Sequence, residues 1–400
     1  MPVCPVASPR SGPIWKQLAG GGGWETCNVT DTGNWAEWSA HVRDSFWLSA
    51  ELLDLLAKHP QGMRTQALLL RHAATDRYVA LTLQDFTLRL DTHLPVQGGG
   101  EAAPSLRRQL LGSLSPRVAV LGQLLTSGAG TALGLQALPA EEATQLLDAL
   151  AQRLTVQANG ISAVVLKDLF PVGSASDRAL RQRGYVDLPA DPVMELNVSP
   201  FRSLEDYLSR LSSKYRVRYR RARAKLGLIT QRPLGPELTE KYLDRLYALH
   251  RITRRGAEVN FVDLDRTYLH FLSTHGQVTG YFDGTELVGF TTAVRNGARY
   301  HAHFLGLDDS YKYSHHLYHN MLFDLLQAAI ASPATVLDYG RTALEIKSSL
   351  GALPRAYAIL ATPRYRWASG MLPGLLSTFR QVPDWTARNP FRDADEKLTK

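Results

Sequence analysis

Toward the C-terminal end of the sequence, Asp338-Tyr339-Gly340-Arg341 is followed by Glu345 and Lys347. Two carboxylates, a phenol and two cations within ten residues form a set able to move a proton and to steady negative charge as it develops. Asp338 or Glu345 could act as base. Tyr339 or Arg341 could orient a carboxylate or steady charge, and Lys347 could pair with Glu345 or meet an anionic substrate. The structural alternative is that Asp338 caps a helix starting near Thr342, with Arg341 and Lys347 in solvent.

His301 and His303 lie two apart on an expected strand, so they share one face with Arg299. They suit a general base or a substrate contact lining a cleft, or else a half-exposed sheet face. His315 and His319 have a spacing compatible with metal binding, but the glutamate of an HExxH motif is absent and no third ligand is evident, so no metal is expected.

Seven cations fall in the twelve residues from Lys214 to Lys225. Lys214, Arg218, Arg221 and Lys225 form one helical stripe and Arg216, Arg220 and Arg223 another, on either side of an apolar strip. Such crowding favours an anionic ligand, and Arg254 extends the basic character. The alternative is a solvated amphipathic helix with snorkelling side chains.

These groups need elements to hold them. Ser203 to Leu226 reads as one long helix, and Pro236 to Ile252 and Leu264 to His275 as two more. Gln277 to Phe282 and Glu286 to Arg295 make a hairpin around Asp283-Gly284. A strand from Arg299, a helix from Ser314 as N-cap, a strand at Thr335 to Asp338 and a last strand at Arg355 to Leu360 follow. The first half reads alike. Strands are expected at Gln66 to His72, Tyr78 to Leu90 and Arg117 to Leu125, then a helix from Ala140 to Gln157 and a strand from Ile161. Val193 to Val198 is expected to close that half. His93 to Pro104 is expected to be a loop, and the glycines at Gly128, Gly130 and Gly134 another. Lys167 and Asp168 are read as ending a strand, with a place in a cleft between the halves as the alternative. The order is not an alternating βαβ chain, so a mixed α/β (α+β) sheet with helices on both faces is expected in each half.

A chain of 400 residues favours two domains. They are placed at 38–199 and 200–367, after a flexible leader at 1–37 and before a short helix and polar tail at 368–400. No apolar run reaches the roughly 18–20 residues that cross a bilayer, and the N-terminus lacks a signal peptide's apolar core, so the cytoplasm is the expected compartment. Cys4 and Cys27, the two cysteines, sit in the leader and exclude a disulfide framework or a cysteine zinc site. The formal charge of +8 favours anionic partners.

Two stretches carry a resemblance to a known family. One runs from Tyr207 through Lys214-Tyr-Arg216 and Arg220-Arg-Ala-Arg-Ala-Lys-Leu226. The other is Asp338-Tyr-Gly-Arg-Thr-Ala-Leu-Glu-Ile-Lys-Ser-Ser-Leu-Gly351. With the strand order, they resemble the FemAB-like branch of the GNAT N-acyltransferase superfamily. The likeness covers Pro200 to Trp367 and, more faintly, Trp38 to Val198, so two GNAT-like domains in tandem are expected.

The resemblance implies transfer of an acyl group to an amine. The donor would be acetyl-CoA or another acyl-CoA, or aminoacyl-tRNA as in peptidoglycan-bridge enzymes. The acceptor would be a small-molecule or cell-wall-precursor amine. Catalysis would fall to Asp338, Tyr339, Arg341, Glu345 and His303, and anion or substrate contacts to Lys214, Arg218, Arg221, Lys225, Arg254, Lys347 and His301. The donor's phosphates would lie near Lys312, Ser314, His315 and His316, at a helix N-terminus. There the sequence departs from the family, because Asp309-Ser-Tyr-Lys-Tyr-Ser-His-His316 lacks the usual glycine-rich turn. A non-catalytic anion-binding protein of the same fold is the remaining alternative.

Overall fold

In the first half, strand β3 (Arg64–His72) sends Ala67 and Leu69 into one apolar core and Leu68 and Leu70 into another. This period-two alternation, with both faces covered, makes the strand a central one. The computed structural model describes residues 14–88, 115–157, 160–255, 262–365 and 385–392.

The first half begins with β1 (Lys16–Gln17) and β2 (Trp24–Asn28) before β3. It continues with β4 (Tyr78–Thr87), β5 (Arg117–Leu121), β6 (Ala132–Leu133), β7 (Ile161–Pro171) and β8 (Val186–Asp187). After it come β9 (Val193–Asn197), β10 (Thr230–Pro233), β11 (Gln277–Asp283), β12 (Glu286–Asn296) and β13 (Arg299–Leu307). The last are β14 (Val336–Asp338), β15 (Leu353–Arg355) and β16 (Tyr357–Pro363). One sheet runs β1-β2-β3-β4-β5-β7-β16-β8, with β6 on β4, and the other β10-β11-β12-β13-β14-β9-β15. Each half is thus a mixed sheet with helices packed on it, the architecture expected.

The strands do not respect the midpoint of the chain. β9, expected to close the first half, lies in the second sheet between β14 and β15, pairing Leu196 with Leu337 and Met194 with Pro354. In return β16 lies in the first sheet, where Leu360 faces Leu166 of β7. One core also serves both halves. Trp47, Leu52 and Leu56 pack with Leu246, Leu249, Tyr268 and Phe290, all buried. A cut near residue 199 therefore leaves neither sheet complete.

Three further expectations are corrected. The leader is folded from Lys16 on: Gly20, Gly22 and Gly23 take positive φ in the turn into β2, where Trp24 and Cys27 are buried. The long helix breaks at Leu211, which is buried and bridged to Phe391. A new helix, Ser213–Leu226, then starts after Ser212, whose N–H donates to Pro390 O. The helix expected from Ser314 is two, Asp309–Ser314 and Leu317–Ile330, because His316 takes a left-handed φ of 49° between them. Ser314 Oγ donates to Ser310 O and so ends the first helix rather than capping the second. The loop expected at 93–104, Cys4 and the helix expected from Ser369 lie outside the described residues.

Candidate active site

β13 pairs with β14 in parallel at only three positions, Arg299 with Val336, Tyr300 with Leu337 and His301 with Asp338. Beyond them β13 runs on to Leu307 without a partner on that side among the described residues. The strands part over a cavity of about 470 Å³. Its walls are β13, the Tyr339–Thr342 turn, the start of the helix Leu317–Ile330, the end of the helix Pro236–Arg255, and Leu124–Ser127 from the first half.

Asp338 ends β14 at the floor, 1% exposed. Its Oδ1 accepts the Gly340 N–H at 2.7 Å, and Oδ2 stands 3.5 Å from both Arg299 Nη2 and His301 Nδ1. Burial raises its pKa by more than Arg299 and the Gly340 N–H offset. His301 is buried and pushed down to about 3 by burial and by Arg299, so it is neutral. Trp47 Nε1–H donates to its Nε2 at 3.4 Å, which leaves the ring proton on Nδ1, toward Asp338. Both ring nitrogens of His301 thus face groups of the protein itself. His303 is also held neutral by burial, its Nε2 at 2.8 Å from Tyr268 Oη. Tyr339 is buried with its hydroxyl donating to Leu322 O at 2.9 Å.

Arg341 borders the cavity, but its guanidinium is engaged. Nε donates to Asp191 O at 2.7 Å, and Nη1 and Nη2 grip the two oxygens of Asp168 at 2.9 and 2.6 Å. The carboxylate it was expected to orient is one of the protein's own. Lys167 and Asp168, read as a strand end, face the cleft instead. Lys167 Nζ donates to Gln123 O, Thr126 O and Asp168 at 2.7–3.1 Å.

Lys347 is wholly buried. Its Nζ donates to Arg341 O at 2.6 Å and Gly340 O at 3.3 Å, and burial, only partly offset by Asp338 and Asp191, lowers its pKa to about 7. The chain turns it inward through two successive non-glycine residues in the left-handed region, Thr342 (φ 68°) and Ala343 (φ 48°), just before the helix Leu344–Ser348. Such strain persists only where its surroundings enforce it.

Glu345 leaves on the other side of that helix. It pairs with Arg388, not Lys347, and borders a second pocket of about 480 Å³ with Arg218, Arg221, His316 and His319. This corrects its place beside Asp338. Consecutive residues serve the two cavities: Tyr318 and Lys347 the first, His319 and Ile346 the second. Lys214 and Lys225 are exposed on the same basic helix, and Lys225, after burial, lowers the pKa of His316. Lys312 is exposed, and His315 Nδ1 is 2.9 Å from Ser314 Oγ. Neither they nor Ser314 border either cavity. Arg254 borders the first cavity and pairs with Asp263.

The sequence reading missed His250. It is 6% exposed, borders the first cavity, and has neither ring nitrogen hydrogen-bonded. Its signal was a polar side chain in the buried stripe Leu246, Leu249, His250 of a helix. The reading also missed that Gly128 brings the first half against the site. A Cβ there would stand 3.2 Å from Asp338 Oδ2, and its N–H donates to Asp168 at 3.1 Å.

A family model described as an acetyltransferase (GNAT) domain matches residues 212–348, the span that holds Asp338, Arg341, Lys347 and the basic helix. The second half is a GNAT acyltransferase domain. FemX shares the fold across both halves of the chain, at 10% identity, 84% coverage of this chain and 96% of that one, with a TM-score of 0.52. The match marks residues 212–348 as a GNAT-type domain, and the likeness to FemX shows a shared fold across both halves. A tandem GNAT protein from the clavulanic acid biosynthesis pathway aligns at 12% identity, 86% and 99% coverage and a TM-score of 0.47. A GCN5-related N-acetyltransferase from Sphaerobacter thermophilus aligns at 12%, 79% and 86% coverage and 0.40. No curated protein matches the sequence.

Proposed function

We propose that this GNAT acyltransferase takes its acyl group from acyl-CoA and delivers it to a primary amine in the cleft between its halves. The observation that carries the reading is the parting of β13 from β14 over a cavity into which the buried Lys347 amine is turned. The free edge of β13 suits an extended ligand with amide groups, which can continue the sheet ladder. The pantetheine arm of coenzyme A is such a ligand. Arg218, Arg221 and His316, in the neighbouring pocket, suit its phosphates. The fit rests on side chains, because the segment before His316 is a short helix without the glycines that let backbone approach a pyrophosphate.

Bound there, the donor supplies an activated carbonyl. Lys347, with a pKa near 7, has a large neutral fraction at physiological pH and takes the proton released by the attacking amine. The carbonyls of Gly340 and Arg341 accept hydrogen bonds from the Lys347 amine and hold it in place, and Asp338 acts on it through its charge. His301 and His303, both neutral, line the wall without adding charge. Arg341 holds the first half against the second beside the cavity. Arg254 and His250 border the side open to the acceptor.

The test is release of free thiol from a series of acyl-CoAs offered with primary amines. Wild type should release thiol, Lys347→Met should not, and Arg218→Ala/Arg221→Ala should raise the KM for the donor. Failure of coenzyme A to raise the melting temperature, together with absent thiol release, refutes the donor assignment. The basic helix supports a second donor, aminoacyl-tRNA. That reading requires tRNA binding that weakens steeply with salt and acyl transfer that depends on it.

A further inference from the structure

The helix Ser213–Leu226 buries Tyr215 and Ala222 and turns the opposite face outward. Lys214, Arg220, Arg221 and Lys225 are exposed there, and none has a carboxylate partner among the described residues. Arg223, by contrast, is tied to Asp324. An unneutralised row of this kind repels itself unless anions approach it.

Apolar side chains stand out beside the cations. Leu228, just past the helix, is 90% exposed, and Tyr313 on the short helix Asp309–Ser314 is 76% exposed. Their sequence neighbours Leu226, Ile229 and Tyr311 pack into one cluster, which roots both over the same part of the surface. Lys312, exposed and unpaired, lies beside Tyr313. Val217 adds a third exposed apolar side chain in the middle of the basic helix.

Cations flanking protruding aliphatic and aromatic side chains are what a protein needs to sit on a membrane without crossing it. Phosphate groups satisfy the cations, and the acyl region below takes up the leucine and the tyrosine ring. A nucleic acid satisfies the cations equally well, but its backbone has nothing apolar to receive Leu228. No helix among the described residues is long and apolar enough to cross a membrane, so attachment at one face is the mode this surface allows.

We propose that this face docks the protein on an anionic lipid surface, with Leu228 and Tyr313 inserting and Arg220, Lys225 and Lys312 contacting lipid phosphates. The proposal does not depend on the identity of the acyl donor.

The experiment is co-sedimentation with vesicles of phosphatidylcholine alone and of phosphatidylcholine with phosphatidylglycerol in a two-to-one ratio. Wild type should bind the mixed vesicles about tenfold or more tightly than the neutral ones, and added salt should weaken binding. Leu228→Ser/Tyr313→Ser should lower binding to mixed vesicles with its salt dependence retained. Arg220→Glu/Lys225→Glu should abolish the preference for anionic lipid. Both double variants replace exposed side chains, and unchanged melting temperatures would verify their folding. Equal binding to both vesicle types, or none at low salt, overturns the proposal. So does tight binding of single-stranded oligonucleotide that mixed vesicles fail to displace and that Leu228→Ser/Tyr313→Ser leaves unchanged.

Discussion

Arg341 of the second half and Asp168 of the first form a two-pronged ion pair, with N···O distances of 2.9 and 2.6 Å, across the cleft. Burial alone would push the Asp168 carboxyl up, yet Lys167 and Arg341 together hold it below its ordinary value. The pair is therefore ionised, and its desolvation is balanced only while both partners are present. Arg341→Ala should cost about 3–5 kcal/mol, because it leaves a buried carboxylate short of charge. Urea titration measures this. Arg341→Ala in an Asp168→Asn background should cost clearly less than in wild type, and equal costs would mean that the two residues do not act as a pair.

The exchange of β9 and β16 makes a prediction about folding. A chain ending at residue 199 lacks β16, so the edge of β7 is left open, and it also loses the half of the shared core built from Leu246, Tyr268 and Phe290. An open edge of this length promotes aggregation. Residues 14–199 alone should be insoluble or fail to unfold cooperatively, whereas the intact chain should give one transition by circular dichroism and fluorescence alike. A soluble fragment with a sharp melt would show that the first sheet closes without β16.

Most elements were legible because their signals are local. The helix from Ala140 to Gln157 has its expected limits, since its apolar face repeats at helical spacing within its own sequence. The β11–β12 hairpin follows from Asp283-Gly284. What escaped was set by distant partners. Nothing near Val193 marks β9 for the second sheet rather than the first, because an apolar strand fits either. The glycine run at Gly20 to Gly23 resembles a linker by composition and is a turn only because Trp24 finds a core. Asp338, Tyr339, Arg341 and Lys347, near one another in sequence, line one cavity, whereas Glu345 lines another. On a single helical turn, Glu345 and Lys347 point to different cavities. His250 and Asp168 reach the cleft through tertiary packing, for which a single sequence has no local mark.

Gly306 sets how closely the helix bearing His250 approaches β13. A Cβ there would stand 2.6 Å from the Leu249 carbonyl carbon and 2.7 Å from the His250 nitrogen. These are backbone atoms and cannot rotate aside. Gly306→Ala should therefore push the helix outward, cost about 1–3 kcal/mol and shift His250 relative to the cavity. The expected kinetic signature is a raised KM for the amine with donor binding retained. A variant as stable as wild type would show that the helix is loosely held.

Lys347 ties both stability and activity to pH, and both rise as the pH rises above about 7. Its folded pKa is about 7, against an ordinary value near 10.4 when unfolded. Between these values the unfolded chain binds the proton and the folded chain does not, so this residue's contribution to stability rises with pH from about 7 to about 10.4 and is smallest below 7. The full span is roughly 5 kcal/mol. Lys347→Met should remove that dependence, so the difference between variant and wild type in urea unfolding should shrink steadily from pH 7 to pH 10. Activity needs the neutral amine, so the wild-type rate should rise through an apparent pKa near 7 and level off. The methionine variant should lose about a hundredfold or more. Arginine in the same place keeps a cation but cannot give up its proton, so Lys347→Arg should be as inactive as Lys347→Met while differing from it in stability. An arginine variant with near wild-type turnover would mean that position 347 supplies charge rather than a proton acceptor.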